Sequence, residues 1–131
     1  MTVGAVRRDA ETAEFFDGTA RGEFLLRRCA DCGTLGEPDI RRCRGCESVR
    51  LGWAPAAGGA SVVSWAVVNG RVGTDGPAAR TVVAIAELDE GPWWWGQVLD
   101  ADPVTIAAGQ RLTISFEPAE GQEVVPAFRL A

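Results

Sequence analysis

Four cysteines are the residues that most clearly indicate a chemical role in this sequence. They form two Cys-X-X-Cys pairs, with ten residues between the second and third cysteines. Two such pairs supply the four soft thiolate donors that a tetrahedral zinc ion requires. Gly33 and Gly45 allow the backbone around each pair to curl so that its amide groups face the sulfurs. The sequence therefore predicts one zinc site, with Cys29, Cys32, Cys43 and Cys46 as its ligands.

The predicted zinc ion is structural. Because all four ligands come from the protein, no coordination position remains open for water or a substrate. The cysteine-containing segment has the form of a zinc ribbon of about thirty residues, which buries little apolar surface. A structural zinc ion compensates, because it contributes on the order of 10 kcal/mol to folding. Two local disulfides and a four-thiolate iron site are the alternatives to zinc. A reducing compartment disfavours disulfides. An iron site uses the same four ligands, so the sequence does not distinguish iron from zinc.

The composition leaves few side chains for acid–base catalysis. The chain has no histidine, no lysine and no tyrosine, although these residues supply many of the general acids and bases of enzymes. The sequence also lacks a phosphate-binding glycine loop, a serine elbow and a ligand set for an open metal site. Pairs of acids such as Asp89 with Glu90 occur at predicted turns, where solvated carboxylates are ordinary. We predict no catalytic residue and no enzymatic activity for the isolated chain.

Charge is distributed unevenly along the chain, whose formal net charge is −5. Residues 21–50 hold seven arginines against five acids, and residues 51–131 hold four arginines against nine acids. An acidic protein without lysine is poorly suited to neutralise nucleic-acid phosphates. The arginines near the cysteines either attract an anion such as a ligand phosphate or offset the field of the thiolates and nearby acids. The candidate anion-binding residues are Arg41, Arg42 and Arg44.

The expected location of the protein is the cytoplasm, without a membrane anchor. The longest apolar runs, such as 61–68, are much shorter than the roughly 20 residues that cross a bilayer as a helix. The chain does not open with the basic and then apolar segments of a signal peptide. We therefore expect reduced cysteines, which zinc binding requires.

Three modules are expected along the chain, in a mainly β protein. Residues 1–23 form a helical segment, with a helix at about 9–19 that Asp9 caps. Residues 24–54 form a four-cysteine zinc ribbon, flanked by strands at 24–28 and 49–53. Residues 55–131 form a five-stranded barrel of the OB type, with a small sandwich as the alternative. The five strands predicted between turn signals are 61–68, 81–88, 93–99, 111–116 and 124–130, with a loop at 71–77 and one helical turn at 102–107.

Aromatic residues are the candidates for contact with another protein. Three consecutive tryptophans lie on one predicted strand, where neighbouring side chains point to opposite faces. At least one indole therefore faces away from the barrel interior, where either another module or a partner covers it. Phe15 and Phe16 likewise either pack the helix on its own domain or dock it on a partner. The predicted partner-binding residues are Phe15, Phe16, Trp93, Trp94 and Trp95.

The order of these features resembles a known family. The sequence EFF at 14–16 precedes EFLLRRC at 23–29, the ribbon follows, and LGW at 51–53 leads into the barrel. Later segments are GGASVVS at 58–64, AIAELDEG at 84–91 and IAAGQRL at 106–112. From about residue 9 to the C-terminus, the chain resembles the zinc-ribbon and OB-fold family once called domain of unknown function thirty-five. Cysteine knuckles occur in many ribbons, so the order of helix, ribbon and barrel makes the resemblance specific.

The resemblance implies a rubredoxin-like ribbon joined to an OB barrel, working beside a thiolase-superfamily protein on coenzyme A thioesters. In such complexes the thiolase-like chain supplies the catalytic residues, and the ribbon protein stabilises it and helps to shape the acyl-CoA channel. The implied reactions are Claisen-type condensation, acyl transfer and retro-aldol cleavage in steroid side-chain breakdown. The zinc ligands carry over to the four cysteines, and no catalytic residue carries over. The run of three tryptophans departs from the more ordinary apolar residues expected at that place.

Three functions are therefore weighed. The first is a non-catalytic accessory subunit in a heteromeric complex with a thiolase-like lyase or acyltransferase, with acyl-CoA at the shared site. The second is a nucleic-acid-binding ribbon and OB module, in which bases stack on the barrel. That function needs a basic groove, and the sequence shows only the ribbon arginines. The third is an enzyme that works alone through its carboxylates.

Overall fold

The computed structural model describes residues 9–70, 79–118 and 122–131. One short helix comes first, three strands then form a small sheet, and five strands close a barrel. Within these ranges, no helix is both long enough and apolar enough to span a membrane. The predicted mainly β fold with a five-stranded barrel is confirmed, and the alternative of a small sandwich is wrong. The predicted loop at 71–77 lies outside the described residues.

Helix α1 (Ala13–Ala20) begins later than the sequence predicted. The carboxylate oxygen Oδ1 of Asp9 accepts the backbone N–H groups of Glu11 and Thr12, both at 2.9 Å. These hydrogen bonds close a turn ahead of the helix, and the helical pattern begins where the N–H of Phe16 donates to the C=O of Thr12 at 3.0 Å. The helix ends before Gly22, which adopts the left-handed φ of +81° that favours glycine.

Gly18 on α1 has no room for a side chain. A Cβ atom at this position would lie 2.6 Å from Cγ of the buried Leu25 and 3.1 Å from the carbonyl oxygen of Glu23. Alanine stabilises a helix by about 1 kcal/mol relative to glycine, but overpacking a core costs about 1–3 kcal/mol. We therefore expect Gly18→Ala to lower the free energy of unfolding by about 1 kcal/mol or more, as measured by urea denaturation.

A second substitution tests the cause of that loss. Leu25→Ala removes the atoms that the added methyl group would meet. Its cost should therefore be smaller in the Gly18→Ala background than in the wild-type chain. Equal costs in the two backgrounds would show that contact with Leu25 does not limit position 18.

The cysteine module is built on a three-stranded antiparallel sheet. Strands β1 (Leu25–Cys29), β2 (Leu35–Gly36) and β3 (Leu51–Pro55) lie in the order β2-β1-β3. The sequence pattern predicted β1 and β3 to within two residues and did not predict β2. The β1–β3 register sets Arg27 opposite Trp53, and the guanidinium carbon lies 4.1 Å from the ring centre. This cation–π contact stabilises the strand pair that leads into the cysteines.

Five strands close the barrel in the order β4-β5-β6-β8-β7. Neighbouring strands are antiparallel except β6 and β8, which are parallel and meet at Val98 and Phe128. Strand β7 closes the barrel by pairing with the start of β4. All five predicted barrel strands are present, with ends that move by no more than two residues. Their bounds are β4 (Gly59–Gly70), β5 (Ala79–Leu88), β6 (Trp93–Val98), β7 (Arg111–Glu117) and β8 (Val125–Leu130).

One hydrophobic core joins the helix, the small sheet and the barrel. At its centre the ring of Phe24 lies 5.4 Å from the ring of Phe15 and 5.4 Å from that of Trp94, in edge-to-face geometry. Such pairs contribute beyond the area they bury. Because this core crosses the predicted limits, the module boundaries 1–23, 24–54 and 55–131 stay a prediction. The predicted turn at 102–107 is present, with the N–H of Ile106 donating to the C=O of Asp102 at 3.1 Å.

Candidate functional site

The four cysteines predicted as zinc ligands come together at one end of the small sheet. Their sulfurs all lie within 4.8 Å of one another, with 3.5 Å between Cys29 and Cys46 and 3.4 Å between Cys32 and Cys43. Four thiolates around one zinc ion, with Zn–S bonds of about 2.3 Å, lie about 3.8 Å apart. A disulfide needs about 2.05 Å, and all four cysteines are free. The donor set fits a four-thiolate metal site, and the disulfide alternative is wrong.

Two similar turns position the cysteines. In the first turn the N–H of Gly33 donates to the C=O of Cys29, and in the second the N–H of Glu47 donates to the C=O of Cys43, both at 2.9 Å. Each turn therefore buries its first cysteine and exposes its second: Cys29 and Cys43 are buried, whereas Cys32 and Cys46 are exposed. The turns are anchored because β1 ends at Cys29 and the N–H of Cys43 donates to Ser48 at 2.8 Å.

Backbone amide groups face the sulfurs, as the sequence predicted. The N–H of Asp31 donates to Sγ of Cys29 at 3.4 Å, and that of Gly45 donates to Sγ of Cys43 at 3.3 Å. The backbone N–H of Cys46, with that of Gly45, lowers the pKa of the Cys43 thiol to about 6. Although the N–H of Ser48 acts in the opposite direction, the neighbouring sulfurs raise the pKa of Cys46 to about 12. The two thiols therefore differ widely in the pH at which each loses its proton.

The two glycines of the turns have different roles, which corrects the sequence prediction. Gly33 adopts a left-handed φ of +77°, but at the equivalent place of the second turn stands Glu47, with φ of 63°. Gly45 instead provides space, because a Cβ atom there would lie 3.0 Å from Oγ1 of Thr34 and 3.8 Å from Sγ of Cys32. Only one of the two glycines is therefore required for its backbone conformation.

The predicted anion-binding arginines are only partly available. Arg41 pairs with Glu11 at 3.0 Å, and Arg44 pairs with Glu37 at 3.2 Å. Of the three candidates, only Arg42 makes no ion pair within the described part of the chain. Anion binding by Arg41, Arg42 and Arg44 stays a prediction, but two of the three already offset nearby acids.

A groove runs between α1, the ribbon and β6. Its volume is about 770 Å³, within the range of sites that take drug-sized molecules. The apolar walls come from Phe15 and Phe16 on the helix, Ile40 on the ribbon and Trp94 on β6. Arg27 also lines the groove, and its Nε atom is buried without a hydrogen-bond partner among the described residues. The groove is therefore mainly apolar, with two arginines and two acidic residues also in its lining: Arg27, Arg41, Glu11 and Asp39.

The predicted partner-binding aromatics divide into a buried and an exposed set. Phe15 and Phe16 are 7% and 8% exposed, because α1 turns both rings onto the common core. Their predicted contact with a partner rested on the expectation that both rings are exposed, and that expectation is wrong. Trp94 faces the same core, whereas Trp93 and Trp95 are exposed on the outside of the barrel.

Sequence reasoning missed one residue of that exposed set. Ile85 on β5 lies directly opposite Trp95 on β6 and is itself exposed. The signal that could have found it is the turn at Asp89, Glu90 and Gly91, whose three-residue length sets the register of the two strands.

Similar sequences are found among known proteins. A family model described as the C-terminal OB-fold domain of ChsH2 matches residues 53–117. The 3-oxo-4,17-pregnadiene-20-carboxyl-CoA hydratase alpha subunit of Mycobacterium tuberculosis is 30% identical over 106 residues, which cover 81% of this chain and 33% of that protein. This chain thus spans about one third of the length of that relative. The DUF35 domain-containing scaffold protein of Methanothermobacter thermautotrophicus is 30% identical over 101 residues, covering 75% of this chain and 76% of that protein.

Solved structures share the fold. A chain of the Ltp2-ChsH2(DUF35) aldolase matches with a TM-score of 0.81 and 26% identity, over 94% of this chain and 96% of that chain. A DUF35-family protein of unknown function from Sulfolobus solfataricus matches with a TM-score of 0.64 and 13% identity, over 93% of this chain and 86% of that chain. The second match shows the fold alone. The first extends over nearly the whole length of both chains.

Proposed function

This chain belongs to the DUF35 family, and from that premise we propose that it is a non-catalytic accessory subunit of an acyl-CoA-acting complex. Its partner is a thiolase-like enzyme, which this chain binds and stabilises. The chemistry of the complex is condensation, acyl transfer or retro-aldol cleavage of an acyl-CoA thioester, with a steroid side chain as one substrate class. The complex is cytoplasmic.

The observation that carries the proposal is the near full-length match to one chain of an aldolase complex. The name of a second relative, a CoA thioester hydratase alpha subunit, also supports a place beside acyl-CoA chemistry. The composition supports a non-catalytic role, since a chain without histidine, lysine or tyrosine lacks the usual groups for proton transfer. In the proposed complex the partner supplies those groups.

The proposed cofactor is one structural zinc ion held by Cys29, Cys32, Cys43 and Cys46. The fit of the four sulfurs to a tetrahedral site supports it. Zinc bound there would cross-link β1 to the loop that carries the second pair of cysteines. Because the four cysteines fill its coordination sphere, no position would remain for a substrate. The cysteines and the backbone amides that face them hold the two turns together.

The groove between the helix, the ribbon and β6 is the proposed contribution of this chain to the acyl-CoA channel. Its walls of Phe15, Phe16 and Trp94 offer an apolar surface to an acyl group. The buried Nε of Arg27 offers a hydrogen bond to a carbonyl or anionic oxygen. The partner closes the open side of the groove in this proposal.

Affinity capture tests the proposed function. The tagged wild-type chain is purified from extract of the cell that makes it, with a tag-only sample as the control, and copurifying proteins are identified by mass spectrometry. We expect a thiolase-superfamily protein in near-stoichiometric amount, and acyl-CoA turnover by the complex but not by the isolated chain. Recovery of the chain alone, or with nucleic acid, would contradict the proposal.

A further inference from the structure

Two of the three consecutive tryptophans form an exposed surface on the barrel. Trp93 and Trp95 are 51% and 68% exposed, and Ile85 on the neighbouring strand is 41% exposed. Trp94, between the two tryptophans, faces the core instead. Alternation along β6 therefore turns both exposed indoles to the same outer side. We call the surface formed by Ile85, Glu87, Trp93 and Trp95 the tryptophan face.

Strand register makes the tryptophan face continuous. Ile85 is the cross-strand partner of Trp95, and Glu87 is the partner of Trp93. The N–H of Leu88 donates to the C=O of Pro92 at 2.9 Å, so Leu88 and Pro92 form a closely hydrogen-bonded pair. In the alternating antiparallel pattern, Ile85–Trp95 and Glu87–Trp93 are then non-hydrogen-bonded pairs, whose side chains lie closest together.

The tryptophan face is rigid and open on the side of β4. Ser64 on β4 pairs with Ile85, and Ala66 pairs with Val83. These small residues do not cover the isoleucine and the indoles, so the apolar surface is accessible. Because these residues lie on paired strands, little conformational entropy is lost when a partner binds them. This low cost favours the use of the face as an interface.

The size of the tryptophan face matches the centre of an interface. A fully exposed aromatic side chain offers up to about 250 Å², so the two indoles together expose roughly 300 Å². A stable interface buries about 800 Å² on each partner, of which a few aromatic residues carry most of the binding energy. Val49 and Val104 are also exposed, but they stand elsewhere in the chain, on the ribbon and on the loop before β7.

Charge decides what kind of molecule fits the tryptophan face. Glu87 is the only charged residue on the outer sides of β5 and β6 that the structure describes, and it makes no ion pair with the described residues. A second copy of the chain, packed face to face, would bring an unpaired carboxylate against an apolar surface edged by another carboxylate. A different protein can place an apolar patch against the indoles and a basic side chain opposite Glu87, and so complements both the apolar surface and the charge of the tryptophan face.

We infer that the tryptophan face is the surface through which this chain docks on a heteromeric protein partner, which presents an apolar patch and a basic residue facing Glu87. The inference rests on the proposed function and names the place of contact. It excludes Phe15, Phe16 and Trp94 from the interface centre, because their rings are already used in the core.

Binding measurements on variants test the inference. The partner protein recovered by the wild-type chain is purified, and its affinity is measured for wild type, the double variant Trp93→Ala/Trp95→Ala, Glu87→Arg and the control Val104→Ala. We expect the double variant to bind about 30-fold more weakly or worse. Glu87→Arg should weaken binding about tenfold at low salt, with a smaller effect at high salt. The Val104→Ala control should bind as wild type does.

The outcomes separate the inference from the proposed function. All substituted residues are exposed, so metal content and the thermal midpoint should stay at wild-type values. If both variants bound the partner at full affinity, the inference that the partner docks on the tryptophan face would be overturned, and the proposed accessory function would still stand. A wild-type chain that forms its own dimer, lost in the double variant, would replace the heteromeric partner by a second copy. A wild-type chain that captures no thiolase-like protein would remove both proposals.

Discussion

Replacing Cys43 by serine is expected to abolish zinc binding and to unfold the ribbon. Serine is a poor zinc donor, and Cys43 is 2% exposed, so no other side chain can take its place without rearrangement. A structural zinc site contributes on the order of 10 kcal/mol, comparable with the whole stability of a domain of about 5–15 kcal/mol. Because β1 of the ribbon also contributes to the common core, we expect the barrel to lose stability as well.

Metal analysis and hydrogen exchange measure this effect. Wild type should carry one zinc ion per chain, and Cys43→Ser close to none, with fast amide exchange across 25–55. The control is Val49→Ala, a change at a ribbon residue that is 66% exposed and is not one of the four cysteines; this variant should keep its zinc. A serine variant that folds with wild-type stability would show that the metal does not hold the ribbon. Iron in place of zinc would correct the identity of the metal while leaving the ligands unchanged.

A pH titration of the wild-type protein checks the chemistry of the ligands. Metal binding requires all four thiolates, so protons compete with zinc and affinity falls as pH falls. The Cys43 thiol, with a pKa lowered to about 6, is already ionised at neutral pH. Cys46, with a pKa raised to about 12, must lose its proton to the metal. Zinc affinity should therefore already fall as the pH falls through the neutral range, and should fall more steeply below about 6, where Cys43 also binds a proton.

Replacing Phe24 by alanine is expected to destabilise the whole protein. Phe24 is 2% exposed and lies in edge-to-face contact with both Phe15 and Trp94, one from the helix and one from the barrel. Truncation of a buried phenylalanine costs about 3–5 kcal/mol. We expect a loss of that size in the free energy of unfolding from urea denaturation.

Trp95→Ala is the matched control for Phe24→Ala. Both changes remove an aromatic ring, but Trp95 is 68% exposed on the outer side of the barrel, so its loss should change stability by no more than about 0.5 kcal/mol. Similar losses in the two variants would mean that the aromatic contacts of Phe24 do not join the three modules.

Much of the four-cysteine site could be predicted from the sequence, because the two turns that build it are local. Two short turns bring each pair of sulfurs together, and the spacing of Cys29 with Cys32 and of Cys43 with Cys46 describes those turns. The sequence did not show that Glu47, rather than Gly45, takes the left-handed conformation in the second turn. That position is set by the hydrogen bond to Cys43, which residue type alone does not reveal.

The aromatic residues show the limit of sequence reasoning. Phe15 and Phe16 lie on a helix of eight residues, too short for a periodic pattern to indicate which side packs on the domain. The burial of Phe15 depends on Phe24 and Trp94, which reach its ring only when the ribbon and barrel are assembled, and Phe16 packs against Phe15. The ion pair of Arg41 with Glu11 likewise joins residues of different modules.

The amino-acid sequence was enough to predict the grouping of the four cysteines and the mainly β fold with a five-stranded barrel, and it shows the lack of histidine, lysine and tyrosine that disfavours catalysis. It also determined that neighbouring tryptophans point to opposite faces, because strand geometry has a period of two. The folded chain was needed to show that Trp94 faces inward while Trp93 and Trp95 face outward. Trp94 faces inward because Phe15 and Phe24 pack on its indole. Since neighbouring side chains of a strand point to opposite faces, Trp93 and Trp95 are then left to solvent or to a partner.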